Sequence, residues 1–388
     1  MRILMVLTYY YPHWTGLTAF AQRIAEGLAA RGHRVTVLTS RYTRSLASEE
    51  VHNGVRIVRV PSWCRLSRGQ VMPALAPALR RLVPEHDVVQ VHTPMLETWL
   101  VAAIAHRAGR RVLMTHHGDL VMPAGVWNQT VQRIVGCLLS RGAQAADRIS
   151  MYTKDYTDHS EFLRPHRDKV VAVYPPVVFP RPNPAAAEGW RRSLGLDGAP
   201  LVGFAGRFVE EKGFDYLLRA IPRLAERHPS VRLAFAGETG VVYEAFYRRC
   251  LPLIEAHRDR LAMLGLITDP QRMADFYAMC DVFALPSRSD CLASVQIEAM
   301  LCGTPVVATN IPGAREVVRV TEMGRLVEPR DPCALADGLA DVLDDPARYY
   351  RSYEAIRAIF DPDRAICDYE ALLGEMTACC EGEHCDAA

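Results

Sequence analysis

Long hydrophobic runs are missing from this chain of 388 residues. No apolar stretch approaches the ~18–20 residues that a helix needs to cross a bilayer, so we expect no membrane-spanning helix. Residues 1–8 are apolar enough to suggest a secretion signal. However, they carry one basic residue, form too short a run, and are followed by three tyrosines and Pro12 where a cleavage site needs small residues. We therefore interpret this segment as a buried first strand.

The sequence also lacks the cysteine spacing of a disulfide-stabilised protein. Its 11 cysteines are an odd number and are scattered along the chain, as in reduced proteins, so we expect a cytoplasmic protein. Near the C-terminus, Cys379, Cys380, His384 and Cys385 could together bind a metal. No predicted helix or strand supports this cluster, and we expect residues 381–388 to form a mobile tail.

Motifs for metals and for common nucleotide cofactors are missing as well. There is no His-Glu-x-x-His, no paired Cys-x-x-Cys, no Walker loop and no G-x-G-x-x-G fingerprint. Asp361-Pro362-Asp363 is the only Asp-x-Asp sequence, and an aspartate that caps a helix explains it more simply. We therefore predict neither a metal site nor a cofactor, and the missing glycine fingerprint disfavours a dinucleotide-dependent dehydrogenase.

Charge is balanced overall but divided between the two halves. The net charge is +1, yet residues 1–180 hold 22 Lys and Arg against 12 Asp and Glu (+10), and residues 181–388 hold 23 against 32 (−9). A basic half suggests an anionic or membrane-bound partner, although an ordinary solvated surface explains it equally well. The stretch 63–82 mixes apolar residues with Arg65, Arg68, Arg80 and Arg81. We therefore hypothesise that this stretch contacts the inner face of a membrane peripherally. We expect no nucleic acid partner.

Short apolar segments alternate with helical patterns along the whole chain, as parallel α/β sheets require. Apolar residues make up 49%, enough for two cores, and the length favours two domains of roughly 170–200 residues. The strands predicted in the first half are Ile3–Thr8, Arg34–Thr39, Val55–Val60, Val88–His92, Val112–Thr115, Arg148–Tyr152 and Val170–Val173. Those predicted in the second half are Leu201–Ala205, Val231–Ala236, Leu261–Leu264, Val282–Pro286, Val306–Thr309 and Arg325–Val327.

Helical spacing and proline content indicate where helices and a linker lie, and so divide the chain into domains. Thr18–Arg31 and Leu96–Ala108 have helical spacing and each ends at a glycine. Prolines cluster between residues 174 and 200, which is typical of a linker. The predicted parts are an N-terminal Rossmann-like domain (1–175), a linker (176–200), a C-terminal Rossmann-like domain (201–360), a helix (361–380) and the tail (381–388).

The most informative segment is PSRSDCLASVQIEAMLCGTPVVATNIPGAREVV, residues 286–318. Asp290 and Glu298 lie eight residues apart, and Glu298 falls within a predicted helix, Ser294–Leu301, which leads through Gly-Thr-Pro into a short strand. Carboxylates accept hydrogen bonds from hydroxyl groups, and the free N–H groups at a helix start hold phosphate. This order indicates a site for a molecule that carries both hydroxyls and an anion.

A second candidate site follows the predicted strand Leu201–Ala205. The sequence GRFVEEKG, from Gly206 to Gly213, places Arg207 and Lys212 five residues apart before a helix. Arginine offers a planar fork to phosphate and lysine offers a point charge, so the two cations together suit a diphosphate. Taken singly, each is more often an ordinary solvated side chain.

A third candidate is His117, in the sequence LMTHHGD of residues 113–119. This sequence ends a predicted buried strand, and the carboxyl ends of strands in open α/β sheets face the ligand crevice. The neighbouring His116 points the other way from a strand and is interpreted as structural.

The turn after the first strand, residues 10–18, supplies a fourth candidate, Gly16. Glycine lets the backbone approach a ligand closely, and a helix N-terminus at this point favours phosphate. Trp14 and the tyrosines either stack on a sugar or lipid acceptor or simply cover the first strand, and the sequence favours neither.

Together these segments resemble retaining, family-4-type glycosyltransferases (glycosyl transferases group 1) of the GT-B architecture. Their pattern of Glu, seven residues, Glu, then Ala-x-x-x-Gly-x-Pro-Val-Val matches from Glu298 onward, with Asp290 in place of the first Glu. Gly-Arg-x5-Lys-Gly resembles the family's diphosphate clamp, and Thr-x-His-Gly/Asp resembles the element that places His117 beside the donor sugar. Gly16 matches the first residue of a family Gly-Gly pair, and Leu17 replaces the second.

The resemblance implies an α/β, GT-B fold with two Rossmann-like domains facing a cleft. The N-terminal domain would hold the acceptor and the C-terminal domain a nucleoside diphosphate sugar, and the last helix would cross back to the N-terminal domain. The reaction implied is transfer of a sugar to a hydroxyl-bearing glycan or lipid acceptor, with retention and without a metal.

The same resemblance assigns roles to residues. Glu298 would accept the ribose hydroxyls, Asp290 a hydroxyl of the donor sugar, and the leaving phosphate oxygen would take the acceptor proton, so no side-chain nucleophile is expected. The expected donor-binding residues are Gly16, Gly206, Arg207, Lys212, Asp290, Ser294, Val295 and Glu298. The expected catalytic residues are His117, Asp290, Arg207 and Lys212.

Two other functions stay open at this point. A GT-B epimerase would bind a similar donor and hydrolyse or invert it without an acceptor. A non-catalytic nucleotide-sugar-binding protein is suggested by Asp290 and Leu17. The nucleotide base, the sugar, the acceptor and the linkage are not defined by the sequence.

Overall fold

The structure is a computed structural model that describes residues 1–66, 69–120, 126–240 and 245–382. The chain forms two compact units. The first unit contains Met1–Pro176 together with the chain from Pro362, and the second contains Val177–Asp361.

The first unit is built on a mostly parallel sheet. Its strands are β1 (Arg2–Val6), β2 (Arg34–Arg41), β3 (Glu49–His52), β4 (Val55–Pro61), β7 (Val88–Thr93), β8 (Arg111–His116), β9 (Arg148–Met151) and β10 (Val170–Ala172), and a separate hairpin joins β5 (Cys64–Leu66) to β6 (Gly69–Val71). The order in the sheet is β10-β9-β8-β7-β1-β2-β4-β3. Every neighbouring pair is parallel except the edge pair of β4 with β3.

Helices cover this sheet, and the first of them shows why they form. The helices between its strands are α1 (Gly16–Ala30), α2 (Leu75–Leu82), α3 (Thr98–Arg107), α4 (Val126–Ala145) and α5 (Lys154–His159). Helix α1 begins at a capping box between Thr15 and Thr18, which satisfies backbone N–H groups at its start. Phe20, Ile24 and Leu28 recur every four residues, and this face is buried against the sheet.

The second unit has a fully parallel sheet. Its strands are β11 (Leu201–Ala205), β12 (Arg232–Ala236), β13 (Leu261–Gly265), β14 (Val282–Leu285), β15 (Val306–Thr309) and β16 (Gly324–Val327), in the order β13-β12-β11-β14-β15-β16. Its helices are α6 (Pro184–Ser193), α7 (Phe214–Arg227), α8 (Phe246–Ala256), α9 (Pro270–Met279), α10 (Ser294–Leu301), α11 (Ala314–Thr321), α12 (Pro332–Asp344), α13 (Pro346–Tyr349) and α14 (Tyr353–Ile359). Four buried phenylalanines, 204, 208, 214 and 235, pack with ring centroids 4.5–5.2 Å apart at the centre of its core.

The last helix, α15 (Pro362–Gly382), belongs to the first unit. Tyr369 is fully buried and its hydroxyl donates to Ser150 at 3.0 Å. Glu370 accepts from Arg31 at 2.6 Å. Gly27 of α1 lies so close to Ile366 that a Cβ there would stand 2.3 Å from its Cδ1. The predicted return of the last helix to the N-terminal part of the chain is confirmed.

All the predicted strands are present, within two residues at each end. The edge strand β3 and the β5–β6 hairpin were not predicted. The segment 176–200, predicted to be a linker, contains α6, which is capped by Asn183 and packs on α9. Arg68 and residues 383–388, most of the predicted tail, lie outside the described residues, whereas 381–382 are helical.

Candidate functional site

The candidate residues of the second unit lie where the order of its strands reverses. From β11 the chain proceeds outward through β12 and β13, and then returns to place β14 on the other side of β11. In open parallel sheets, the carboxyl ends of the two strands at such a reversal leave a crevice for ligands. Gly206 and Arg207 directly follow β11, and Asp290 follows β14.

The turn after β11 depends on glycines. Gly213 has φ +67°, and a Cβ at that position would come 1.9 Å from the carbonyl oxygen of Pro286. Gly206 has φ +150°, and its carbonyl oxygen would lie 1.8 Å from a Cβ on Gly237. Only glycine combines these conformations with such close backbone contacts. Arg207 and Lys212 are thereby fixed, both half-buried, at the edge of the sheet.

Lys212 and Asp290, predicted to contact different parts of a ligand, form an ion pair with each other. The Nζ of Lys212 lies 2.5 Å from Oδ2 of Asp290 and 3.8 Å from Oε1 of Glu211. The side chain of Asp290 is 8% exposed. Burial lowers the pKa of Lys212, but the carboxylates of Asp290 and Glu211 outweigh this effect, and the pKa is raised above its ordinary value. The ammonium is therefore charged at neutral pH.

Glu298 is held by two hydroxyl groups. Tyr277 donates to its Oε2 at 3.0 Å, and Ser294, the first residue of α10, donates to its Oε1 at 3.2 Å. Burial and the nearby Glu298 carboxylate raise the pKa of Tyr277 well above its ordinary value, so its proton stays in place. A carboxylate has about four acceptor positions, which is more than these two hydroxyls fill.

Helix α10 begins without a capping side chain. Its N-cap residue Ala293 has φ +60°, in the left-handed region, and makes no side-chain hydrogen bond to the helix. The backbone N–H groups of Ser294 and Val295 thus begin the helix four residues after Asp290, where a helix dipole favours an anion.

Sequence reasoning missed a side chain that braces this site, Arg288. Its guanidinium lies 2.8 Å from Asp215 and stacks over the ring of Tyr216 at 4.3 Å. Its backbone N–H donates to the carbonyl oxygen of Glu211 at 2.7 Å. Arg288 therefore ties the segment after β14 to the turn that carries Lys212. An arginine at a loop position gives no local sign of such a role.

In the first unit, His117 follows β8 and both of its ring nitrogens have partners. Nε2 lies 3.0 Å from Nδ1 of His92, the fifth residue of β7, and Nδ1 lies 2.5 Å from the hydroxyl of Tyr152, which follows β9. Burial lowers the pKa of His92 to about 3, and burial together with His92 and His116 lowers that of His117 well below its ordinary value. Both imidazoles are therefore neutral at pH 7. His92 and Tyr152 were not predicted, because only the folded sheet brings them together.

His116 is buried, 2% exposed, and bonded on both sides. Its Nδ1 lies 2.9 Å from the hydroxyl of Thr93, and its Nε2 lies 3.0 Å from Oδ1 of Asp119. These contacts agree with the structural interpretation of this histidine.

The turn before α1 divides its aromatic residues between two environments. Tyr10 is buried in the core and 1% exposed, whereas Trp14 is 67% exposed. The ring of Tyr9 stacks on that of His13 at 4.5 Å. Gly16 begins α1, and a Cβ there would have no neighbour within 4 Å among the described residues. Tyr10 thus covers the first strand, and Trp14 does not.

Neither a metal-binding cluster nor a membrane-spanning helix is present in the part of the chain that the structure describes. Within residues 1–66, 69–120, 126–240 and 245–382, His, Cys, Asp and Glu nowhere form a group of three or more suited to a metal ion. Over the same ranges, no helix combines the length and the apolar character needed to span a bilayer.

The chain matches two family models in succession. Residues 15–176 match the glycosyl transferase 4-like domain, and residues 187–358 match glycosyl transferases group 1. A D-inositol 3-phosphate glycosyltransferase of Xylanimonas cellulosilytica is 31% identical over 382 residues, which cover 88% of this chain and 87% of that protein. A GDP-mannose-dependent alpha-(1-6)-phosphatidylinositol monomannoside mannosyltransferase of Mycolicibacterium smegmatis is 29% identical, with 89% and 90% covered.

Solved structures of similar fold cover almost the whole chain. The sucrose-phosphate synthase of Thermosynechococcus elongatus superposes with a TM-score of 0.76 at 22% identity, covering 97% of this chain and 99% of that chain. Anabaena HepE, solved in complex with UDP, gives a TM-score of 0.75 at 22% identity, with 97% and 100% covered. The predicted GT-B fold of two Rossmann-like units is confirmed.

Proposed function

Since this chain belongs to the glycosyl transferases group 1 family, we propose that it moves a sugar from a nucleoside diphosphate sugar to a hydroxyl group, with retention of the anomeric configuration and without a metal ion. Glycosyl transfer and use of a nucleotide sugar follow from the family. The stereochemistry, the metal independence and the acceptor belong to the proposal.

The main support for a donor site is the arrangement of charged groups at the point where the strand order of the second unit's sheet reverses. Lys212 lies 2.5 Å from Asp290, Arg207 directly follows β11, and the start of α10 is near in sequence. We assign the diphosphate to Arg207, Lys212 and the first N–H groups of α10, because preorganised cations and dipoles stabilise the charge of a leaving group. These groups belong to the chain, so the proposed reaction needs no bound metal and no cofactor.

Glu298 and Asp290 are assigned to hydroxyl groups. The carboxylate of Glu298, already oriented by Tyr277 and Ser294, accepts the two hydroxyls of the ribose. Asp290 accepts a hydroxyl of the donor sugar while it stays paired with Lys212. Asp290 is shorter than the family's Glu by about 1.5 Å, and the ion pair with Lys212 accounts for its orientation.

The proposed chemistry is a front-face substitution. The bond from the anomeric carbon to the diphosphate oxygen breaks, and the acceptor oxygen forms its bond on the same face. The proton of the acceptor hydroxyl passes to the leaving phosphate oxygen, so the products are a glycoside and a nucleoside diphosphate. His117 is assigned to contact the donor sugar beside the reacting carbon. Gly16 is assigned to let the backbone approach the ligand closely.

A lipid-linked or glycan acceptor at a membrane surface is the acceptor we propose. Support comes from the basic N-terminal half and from two exposed tryptophans, Trp63 (79% exposed) in the approach to β5 and Trp14 (67%), because tryptophan prefers the interface of a bilayer. Co-sedimentation with anionic vesicles, compared with neutral vesicles, measures this contact. Equal binding to both would remove the membrane from the proposal.

The donor is identified by a thermal-shift screen with UDP, GDP, UDP-glucose and GDP-mannose. A ligand that binds only the folded state raises the melting temperature, so one base should raise it and the other should not. The stabilising donor is then incubated with phosphatidylinositol monomannoside and with D-inositol 3-phosphate, and the anomeric configuration of the product is read by NMR. Turnover of the donor with no acceptor would indicate an epimerase or hydrolase, and binding without any turnover a non-catalytic protein.

A further inference from the structure

The second unit has a cavity at the edge of its sheet that is opposite to the candidate donor residues. The cavity has a volume of about 640 Å³ and lies between the end of α11, the start of β16 and the short helix α13. Because all strands of this sheet are parallel, they begin at one edge and end at the other. Arg207 and Asp290 follow the ends of strands, whereas Arg325, which lines the cavity, is the second residue of β16. The cavity is therefore separate from the candidate donor site.

Positive charge is concentrated in this cavity, which we call the arginine cavity. Its described lining residues carry a net charge of +3, from four arginines and one carboxylate: Arg319, Arg325, Arg348, Arg351 and Glu322. Residues 181–388 as a whole carry −9, and because the cavity contributes +3 of this, the remaining residues carry −12. Like charges in one concavity repel one another and focus their field on an anion. The composition of this half of the chain does not explain such a concentration, whereas binding of an anion does.

Two of the arginines are held in place by the protein. Nη1 of Arg351 donates to the carbonyl oxygens of Arg348 at 3.1 Å and Tyr350 at 2.9 Å, and its Nη2 donates to Glu322 at 3.2 Å. Arg325 is paired with Asp341 of α12. A guanidinium has five N–H donors, and these contacts of Arg351 use three of them. The contacts thus orient the guanidinium and leave it able to bind a ligand.

Arg348 differs from these two, because its guanidinium forms no ion pair with a carboxylate among the described residues. Its central carbon lies 5.6 Å from the centroid of the Tyr349 ring. An arginine presents a planar fork of N–H groups that matches two oxygens of one phosphate. Arg348 and its neighbour Arg351 therefore provide two such forks on the same side of the cavity.

Glu322 occupies the position of a built-in counter-ion. It follows α11 with φ +53°, in the left-handed region that residues other than glycine rarely adopt. Its side chain is 77% exposed and pairs with Arg351 at 3.2 Å. An exposed ion pair of this kind contributes little to stability, so an anion that enters the cavity can replace Glu322 at small cost.

We propose that the arginine cavity is a second binding site, which takes a phosphate monoester. Such a group carries a charge of about −1.5 to −2 at pH 7, which the net charge of the cavity balances. Arg348 and Arg351 hold the phosphate, Glu322 turns away from Arg351, and the remainder of the ligand lies against the Tyr349 ring. The volume is within the range of roughly 300–1,000 Å³ that small-molecule sites have. This inference goes beyond the proposed function and does not depend on it.

Binding is measured by isothermal titration calorimetry at constant ionic strength, with glycerol 3-phosphate and ribose 5-phosphate. A phosphate monoester also occurs in a lipid headgroup, so co-sedimentation with vesicles of phosphatidic acid forms a second arm. Binding of the soluble compounds identifies a soluble ligand, and binding of the vesicles alone identifies a lipid, provided that Arg348→Ala abolishes it. If neither arm shows binding that depends on Arg348, the proposal is wrong.

A pair of variants with opposite expected effects tests the site. Arg348→Ala should weaken binding about ten- to hundredfold, because a hydrogen bond between charged groups is lost. Glu322→Gln keeps the size of the side chain but removes the competing charge, and should tighten binding about fivefold. A gain in affinity cannot result from misfolding. Unchanged affinity in both variants overturns the proposal.

Two further variants serve as controls. Arg258→Ala removes an arginine of the same unit that is 79% exposed and pairs with Glu255 at 3.2 Å, and it should bind with unchanged affinity. Lys212→Ala removes a cation of the proposed donor site and should also bind normally. Loss of binding in Lys212→Ala would place the phosphate at the donor site and overturn the second site. Since none of these titrations measures sugar transfer, their outcome is independent of the proposed function.

Discussion

At the scale of single residues, Lys212 is subject to two opposing effects. Burial alone lowers its pKa, and the carboxylates of Asp290 and Glu211 raise it further than burial lowers it. Because the folded-state pKa lies above the unfolded value, this pairing stabilises the folded protein at pH values below the unfolded pKa. The stabilisation is lost as the pH rises through the folded-state pKa.

Replacing Asp290 by Asn should therefore change the alkaline side of the pH profile. Without the carboxylate, burial is opposed only by Glu211, 3.8 Å away, and by Cys291, and the pKa of Lys212 falls. We expect the alkaline loss of kcat/KM to begin at lower pH in Asp290→Asn than in the wild type, as measured between pH 7 and 11. Superposable profiles would show that Lys212 does not act as the cation of the donor site.

Removal of the assigned side chains should abolish transfer. Lys212→Ala is expected to lower kcat/KM by about 10²–10³-fold, the loss typical of a group that stabilises developing charge. Glu298→Ala should lower it by a comparable factor, because two hydrogen bonds from the ribose hydroxyls to a charged group are lost. Arg223→Ala is the control, since this exposed arginine of α7 pairs with Asp337 at 2.7 Å. Circular dichroism verifies that each variant is folded, and normal turnover in both site variants would refute the donor site.

The candidate residues and their partners were not equally accessible to sequence reasoning. Lys212, Asp290 and Glu298 stand in short patterns next to predicted strands and helices. Their partners Tyr277 and Arg288, like His92 and Tyr152 of the first unit, are isolated residues. They acquire a role only when parallel strands bring distant positions to the same edge, and sequence spacing does not encode that contact.

At the scale of elements, the turn between β11 and α7 is fixed by backbone contact. Gly213→Ala should destabilise the protein by several kcal/mol, because the new Cβ would stand 1.9 Å from the Pro286 carbonyl oxygen and the loop must move. Gly195 has almost the same φ, +66°, and nothing within 4 Å of a Cβ among the described residues. Gly195→Ala should cost only about 1 kcal/mol.

Urea unfolding of both variants measures this difference. Equal free energies of unfolding would show that conformation alone, rather than contact with Pro286, demands glycine at position 213. Activity of Gly213→Ala at low temperature further reports whether Lys212 is displaced.

Elements with strong periodicity were predicted, and elements formed by polar residues were not. The thirteen predicted strands are short apolar runs. Most of them are buried on both faces, whereas β10, β13 and β16 are partly exposed. Strand β3 has the sequence EEVH, and it is a strand because it pairs with the edge of β4, not because of its own composition. Helix α6 was not predicted, because the prolines around it suggested a linker. Pro184 nevertheless occupies the first position of the helix, where proline is favoured.

At the scale of the whole molecule, the chain leaves the first unit and returns to it with α15. Tyr369 and Leu373 of α15 are fully buried in the core of that unit. A chain ending at Asp361 would expose this apolar surface, and we expect it to lose the cooperative unfolding of the first unit and to aggregate. A chain ending at Gly382 should unfold like the full-length protein; equal behaviour of the two truncations would contradict this role of α15.

A crystal structure of the protein soaked with the nucleotide that stabilises it is the most direct test of the donor site. We predict a diphosphate within hydrogen-bond distance of Arg207 and Lys212 and ribose hydroxyls on Glu298. A nucleotide bound elsewhere, with these three side chains free of ligand, would contradict the assignment.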